Sequence, residues 1–183
     1  MLQVGDDTKM RKKYKKFDTI AKEFLSNEKF LRISDESHHG ITRMEHSMRV
    51  ARNVYKLSKK LNLDYISATR AAIVHDFFVN EEFGTNRGLI QGVVHPDIAL
   101  ANAKGEFKIN EVEANAIEAH MFPLSTCLPK SKEAWCLTAV DKAVAIYEYA
   151  TNKFSIKRIA NPVSYAVCLV FIYIMNIITI NNR

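Results

Sequence analysis

The sequence predicts an all-α fold, a helical bundle that forms a single domain over its 183 residues. Apolar residues recur three and four positions apart along most of the chain, which is the period of an amphipathic helix. No run of alternating apolar and polar residues is long enough to predict a sheet. Because one domain takes roughly 150 residues and no repeat or linker divides the chain, residues 1–183 are expected to form one unit with its core at about 42–150.

Six helices are expected before residue 150, and most begin at a side chain that can accept hydrogen bonds from the first free amides of a helix. Two of these starts have the spacing of a capping box, in which each of two side chains bonds the other residue's backbone amide. The helices are expected at about Lys12–Leu31, Arg43–Leu61, Tyr65–Phe78, Pro96–Lys104, 111–121 and Lys132–Tyr149. The capping side chains are Thr42 with Glu45, Asp64, Asn110 with Glu113, and Ser131.

Two loops are expected between these helices, a polar one over residues 34–40 and a longer one over residues 79–94 that contains several glycines. Pro96 suits the first turn of the short helix that follows the second loop. Loops of this length inside a compact domain are often functional.

The net charge of +6 favours anionic partners but indicates neither a fold nor a reaction. Much of it comes from a basic run between Lys9 and Lys16, from which apolar residues continue at helical spacing. We therefore interpret the run as a solvated helix face rather than an arm for nucleic acid, and expect no nucleic-acid partner. Three cysteines without a CxxC pair exclude a disulfide scaffold, and we expect a cytoplasmic protein without a signal peptide.

The segment 163–180 contains no charged residue and is flanked by cations. Its length lies at the lower edge of a membrane-spanning helix. A helix that is apolar all round is also typical of one buried in a core or between two subunits. We favour burial, with a homodimer formed through this helix as one form of it, over a membrane tether.

Histidines and carboxylates are expected to face the core together. His46 lies on the inward face of its expected helix, and His75 and Asp76 directly follow an apolar run. Asp141 lies in mid-helix between apolar residues. Because a carboxylate is costly to bury unless it is paired or bound to a cation, this mixed nitrogen and oxygen set predicts a site for Fe, Mn, Co, Ni or Zn.

The order His46, His75-Asp76, Asp141 resembles the H…HD…D signature of the HD-domain superfamily of metal-dependent phosphohydrolases. The resemblance covers about residues 42–148 and implies an all-helical bundle of the HD-domain type with the metal between its helices. The segments 38–43, 75–78 and 120–124 are similar to stretches of bacterial HD proteins.

His95 and His120 extend this resemblance, because they lie between the HD pair and the last Asp. The chain is thus similar to the subset with the pattern H…HD…H…H…D, which holds two metals. The resemblance implies one metal on four residues and a second metal on His95 and His120, with Asp76 bridging. The first set is His46, His75, Asp76 and Asp141.

Several cationic groups are candidates for binding a substrate phosphate. Arg43 is three residues before His46 and therefore on the same helix face, and a guanidinium can bind phosphate oxygens in a bidentate way. Lys142, His38 and His39 are further candidates, each equally well interpreted as an exposed residue. The HDxGK continuation common in the family is absent, since Phe77 and Phe78 follow the HD pair.

The resemblance implies a hydrolase that acts on a small phosphate ester, a nucleotide or related phosphomonoester or phosphodiester. Asp76 and Arg43 are its expected catalytic residues, with Arg43, His39 and Lys142 on the substrate. A mixed-valent di-iron oxygenase of the same fold is an alternative hypothesis, because it shares the six-ligand pattern. A non-catalytic module that binds metal or nucleotide is another.

Overall fold

The computed structural model of the protein describes residues 16–35, 37–38, 41–83 and 89–154. Three features singled out above lie outside the described residues: most of the basic run, His39, and the apolar segment 163–180. The interpretations of the segment 163–180 therefore stay predictions.

Helices account for most of the described ranges, in agreement with the predicted all-α class. The exception is a hairpin of two very short strands, in which Ser37 pairs with Thr42 and His38 with Ile41. The elements in chain order are α1 (16–25), α2 (Glu28–Leu31), a 3-10 helix (Arg32–Asp35), β1 (Ser37–His38), β2 (Ile41–Thr42), α3 (Arg43–Lys60), α4 (Tyr65–Val74), a second 3-10 helix (Asn80–Phe83), α5 (Leu89–Glu106), α6 (Glu111–Ala119) and α7 (Lys132–Phe154).

The predicted caps are confirmed. Thr42 with Glu45 and Asn110 with Glu113 both form complete capping boxes at the starts of α3 and α6. The Asp64 carboxylate accepts from the amides of Ile66 and Ser67 at the start of α4. At the start of α7, the Ser131 hydroxyl accepts from the amide of Ala134. Local polar chemistry therefore sets where four helices begin.

The predicted helix bounds are wrong in four places. α7 ends at Phe154 rather than Tyr149. The helix expected to reach Leu31 is interrupted after α1, because Asn27 accepts from the Phe30 amide and caps a separate short helix. α4 ends at Val74 rather than Phe78, so the HD pair lies in the turn after it. α5 begins at Leu89, inside the expected loop, and Pro96 lies within it at the loss of one backbone hydrogen bond.

The core joins five helices, α3 to α7, around one centre. α3 packs against α4 and α7, and α6 packs against α4, α5 and α7. An aromatic cluster closes the core beside the HD turn, with the rings of Phe30 and Phe77 5.3 Å apart and edge to face. Phe24 and Phe107 complete the cluster, at a centroid distance of 4.7 Å. The residue after Asp76 is thereby fixed in the core.

Among the described helices, none combines the length and the apolar composition that a membrane crossing requires.

Replacing Phe30 with Ala tests the aromatic cluster. Phe30 is fully buried, so we expect the change to lower the free energy of unfolding by about 3–5 kcal/mol, since it removes a ring and leaves a cavity. Urea unfolding followed by circular dichroism measures this. The neighbouring change Leu31→Ala affects a side chain that is 40% exposed and should cost less than half as much. Equal losses would contradict the packing described here.

Acid should weaken the cap of α4. Hydrogen bonds from the Ser67 hydroxyl, and then from the amides of Ser67 and Ile66, lower the pKa of Asp64 below its usual 3.8. The stabilisation is therefore present above about pH 4 and is lost as the pH falls through the lower pKa of the folded state. Asp64→Ala should cost about 1 kcal/mol at pH 7, and the difference from the parent should shrink in urea titrations below pH 4. A constant difference would contradict an ionised cap.

Candidate metal centre

The six residues singled out from the sequence meet in one buried region. His46 lies in α3, His95 in α5 and Asp141 in α7. The others lie directly after a helix, His75 and Asp76 after α4 and His120 after α6. All six are buried, with exposed fractions between 0% for His75 and 7% for His95 and Asp141.

Two of the histidines are fixed in the same way by the ends of their helices. The Nδ1 of His75 lies 2.9 Å from the carbonyl oxygen of Ala72, and the Nδ1 of His120 lies 2.7 Å from that of Ile117. A carbonyl oxygen only accepts, so Nδ1 carries the proton in both rings. The Nε2 atoms are therefore the ones that face the centre.

His46 is held by carboxylates on both sides of its ring. Its Nδ1 lies 2.7 Å from Oε2 of Glu148, and its Nε2 lies 3.0 Å from Oδ1 of Asp141. Both acids lie on α7 and the ring lies on α3, so these bonds also join the two helices. The Nε2 of His46 thus faces the same carboxylate as the Nε2 of His75, which lies 3.4 Å from Oδ1 of Asp141.

Asp76 lies between the two halves of the region. Its Oδ2 is 3.7 Å from Nε2 of His75, whereas its Oδ1 is 3.3 Å from Nε2 of His95 and 3.7 Å from Nε2 of His120. The ligand atoms form three overlapping sets, and within each set all atoms lie within 4.8 Å of one another. Asp76 belongs to two of the sets. The sets are His46 with His75 and Asp76, His75 with His120 and Asp141, and Asp76 with His95 and His120.

Burial and charge determine which groups are ionised. Burial lowers the pKa of His46, but its bonds to Asp141 and Glu148 and the negative charge of Asp76 outweigh burial and raise the pKa to about 10. Burial raises the pKa of both aspartates, but the facing histidine rings outweigh it and hold each pKa well below its usual range. The centre therefore contains two ionised carboxylates that require positive charge nearby.

The other half of the region favours a neutral ring. Burial, together with the positive charge of His75 and His95, lowers the pKa of His120 to about 3. The Nε2 atoms of His95 and His120 lie 2.9 Å apart. Because the proton of His120 is on Nδ1, its Nε2 accepts from the Nε2–H of His95. Two ring nitrogens thus converge on one point beside Asp76.

The donor set fits a transition metal. Among the described residues, the buried Nε2 of His75 has no hydrogen-bond partner, although it faces two carboxylates. Such an atom is costly unless something binds it, and an imidazole nitrogen that has given up its proton is a common metal ligand. Imidazole and carboxylate together suit Fe, Mn, Co, Ni or Zn. The residues present are therefore able to hold a divalent metal.

The residues predicted to bind substrate are Arg43, Lys142, His38 and His39, and the structure shows protein partners for the first two. The Arg43 guanidinium is buried, donates from Nη1 to the Phe78 carbonyl at 2.9 Å and from Nη2 to Oδ1 of Asn80 at 3.3 Å, and stacks 3.8 Å from the Phe78 ring. The Nζ of Lys142 donates to the His120 carbonyl at 2.8 Å. His38 lies in β1, and the structure describes its backbone only. Contact of these groups with a substrate stays a prediction.

Glu148 is the functional candidate that the sequence did not single out. Its carboxylate is 1% exposed and bonds His46 on one oxygen and Arg49 on the other. A signal was present, because Glu148 follows Asp141 by seven residues, or two helical turns, and so lies on the same face of α7. A carboxylate that orients a ligating imidazole is a common outer partner in metal sites.

Comparison with protein families finds the HD domain, matched over residues 43–146. Comparisons with curated proteins and with solved structures give no match. The matched range contains all six residues of the candidate centre and more than half of the chain. The all-helical architecture and the buried cluster of histidine and aspartate agree with this assignment. The chain therefore belongs to the HD domain family.

Proposed function

We propose that the protein is a metal-dependent phosphohydrolase that acts on a small phosphate ester such as a nucleotide or a related phosphomonoester or phosphodiester. An HD domain implies a metal-dependent, hydrolase-type activity. The observation that carries the proposal is the meeting of four histidines and two ionised aspartates at one buried centre. Such a centre has a chemical use in phosphate-ester hydrolysis, where the nucleophile and the ester oxygens must be brought together against charge repulsion.

Two overlapping sets of residues would hold the metals. His46, His75, Asp76 and Asp141 form the first set, and Asp76 with His95 and His120 forms the second. Bound divalent metal would supply a nucleophile by lowering the pKa of a water from about 15.7 towards 7, and would bind phosphate oxygens. The two oxygens of Asp76 face different histidines, which supports a bridging role for this carboxylate.

The chain's own cations would orient the ester. Arg43 lies beside the loop after the HD pair, whereas Lys142 lies beside His120. In the proposed reaction Arg43 binds phosphate oxygens and offsets the negative charge that develops on them. Its bonds to Phe78 and Asn80 fix the direction of its guanidinium, so the group is oriented before substrate arrives.

Metal content tests the centre without reference to any substrate. The parent protein, loaded with Mn or Co and passed through a desalting column, should hold about two equivalents per chain. Asp76→Ala removes the carboxylate shared by two of the ligand sets and should leave less than one equivalent. Asp97→Ala, a change at an exposed position on α5, is the matched control and should retain the parent's content. Equal metal content in all three proteins, measured by elemental analysis, would contradict the site.

Activity tests the proposed reaction. Protein loaded with Mn, Co, Ni or Fe should release phosphate or alcohol from at least one member of a broad panel of phosphate esters. Arg43→Met should then lower kcat/KM by about 10- to 100-fold, the loss expected when a charge-assisted hydrogen bond to the phosphate is removed. Arg52→Met, which removes an exposed cation from the same helix, should change it less than twofold.

Three results would count against the proposal. Metal-loaded protein that turns over no ester of the panel would contradict hydrolysis. Oxygen consumption that depends on iron would instead support an oxygenase of the same fold. Unchanged turnover in Arg43→Met would contradict the proposed contact between Arg43 and the phosphate, without contradicting the metal centre.

A further inference from the structure

Glu148 lies behind the metal centre and does not belong to any of the ligand sets described above. Its side chain is 1% exposed and accepts two hydrogen bonds, one on each carboxylate oxygen. Oε2 lies 2.7 Å from Nδ1 of His46, and Oε1 lies 2.9 Å from Nη1 of Arg49. The Arg49 side chain is 39% exposed, so this pair links the surface of α3 to the buried ring.

The arrangement matters because His46 differs from the two histidines that follow helices. Backbone carbonyls fix the Nδ1 protons of His75 and His120. His46 lies within α3, where the backbone carbonyls are bonded along the helix, and its Nδ1 partner is a side chain from α7 instead. A carboxylate only accepts, so Glu148 requires a proton on Nδ1. The Nε2 that faces Asp141 would then be the atom that gives up its proton and binds the metal.

We propose that Glu148 is a positioning residue for the metal centre, which holds His46 with its proton on Nδ1 and so presents Nε2 to the metal. Arg49 keeps the carboxylate oriented by occupying its second oxygen. The inference rests on the proposed function in one respect only, namely that the centre binds a metal. It adds Glu148 and Arg49 to the machinery of the site.

A purely structural role is the competing explanation, because the same bonds also join α3 to α7. The chain offers a matched comparison in Glu113, which is 2% exposed and also has both oxygens bonded. Its Oε1 accepts from Nε of Arg70 at 2.7 Å, and its Oε2 accepts from the backbone N–H of Asn110 at 3.1 Å. Glu113 is thus buried and paired with an arginine, as Glu148 is, but neither of its partners is a candidate metal ligand.

The test is the affinity of the metal-stripped full chain for Co²⁺, followed by the absorbance of the bound ion, in Glu148→Gln and Glu113→Gln. His46 and Arg49 bond different oxygens of Glu148, and the glutamine in Glu148→Gln has an accepting oxygen in only one of those two places. The amide N–H takes the other place, and turned towards the ring it would favour the wrong tautomer. We expect Glu148→Gln to bind Co²⁺ about 10- to 100-fold more weakly, the effect typical of losing an outer partner of a ligand. Glu113→Gln should bind Co²⁺ as the parent does.

A second measurement does not depend on the folding of either variant. In the zinc-loaded parent, nitrogen-15 NMR of the histidine rings should show His46 with a proton on Nδ1 and metal on Nε2. A proton on Nε2 would overturn the inference, as would parent-like Co²⁺ affinity in a folded Glu148→Gln. Equal weakening in both glutamine variants would assign Glu148 a structural role only. A parent chain that binds no metal would contradict the proposed function itself, which separates the two failures.

Discussion

Two ionised carboxylates with almost no access to solvent are the constraint on which the rest of this bundle depends. Asp76 and Asp141 are 4% and 7% exposed, and burial alone would raise the pKa of each carboxyl. Four imidazole rings face them, and the charge and hydrogen bonds of these rings, foremost His75 at Asp76 and His46 at Asp141, hold the pKa of each carboxylate well below its usual range. The ends and faces of α3, α4, α5, α6 and α7 are arranged to deliver those rings.

The ends of two helices position two of the four rings. His75 and His120 are the C-caps of α4 and α6, so two helices direct the negative ends of their dipoles at the centre. That potential favours a cation there and adds to the effect of the aspartates. Carbonyl oxygens in the last turn of the same helices accept hydrogen bonds from Nδ1 of both rings, which fixes each ring and selects its ligating nitrogen.

The sequence predicts which histidines and aspartates come together better than it predicts the element bounds. His46 and Asp141 could be placed because each shares a helix face with core residues, and the caps could be placed because their chemistry is local. The end of α4 could not be predicted, because the apolar run continues through Phe78 and periodicity does not distinguish a buried turn from a buried helix. Glu148 was missed for a different reason. Its position on α7 was visible, but only packing shows that α3 lies opposite it.

The two phenylalanines after the HD pair, where this chain departs from the family pattern, have different packing partners. Phe77 anchors the turn in the aromatic core, where it contacts Phe30. Phe78 lies between the Arg43 guanidinium, 3.8 Å from its ring, and the His95 ring, with centroids 5.1 Å apart. In this chain the Arg43 guanidinium of α3 lies against Phe78, where stacking and a bond to the Phe78 carbonyl hold it. The same ring contacts His95, so the packing of Phe78 affects both the orientation of the Arg43 guanidinium and the position of the His95 ring. A substitution at Phe78 therefore acts on both, whereas one at Phe77 acts on the stability of the turn.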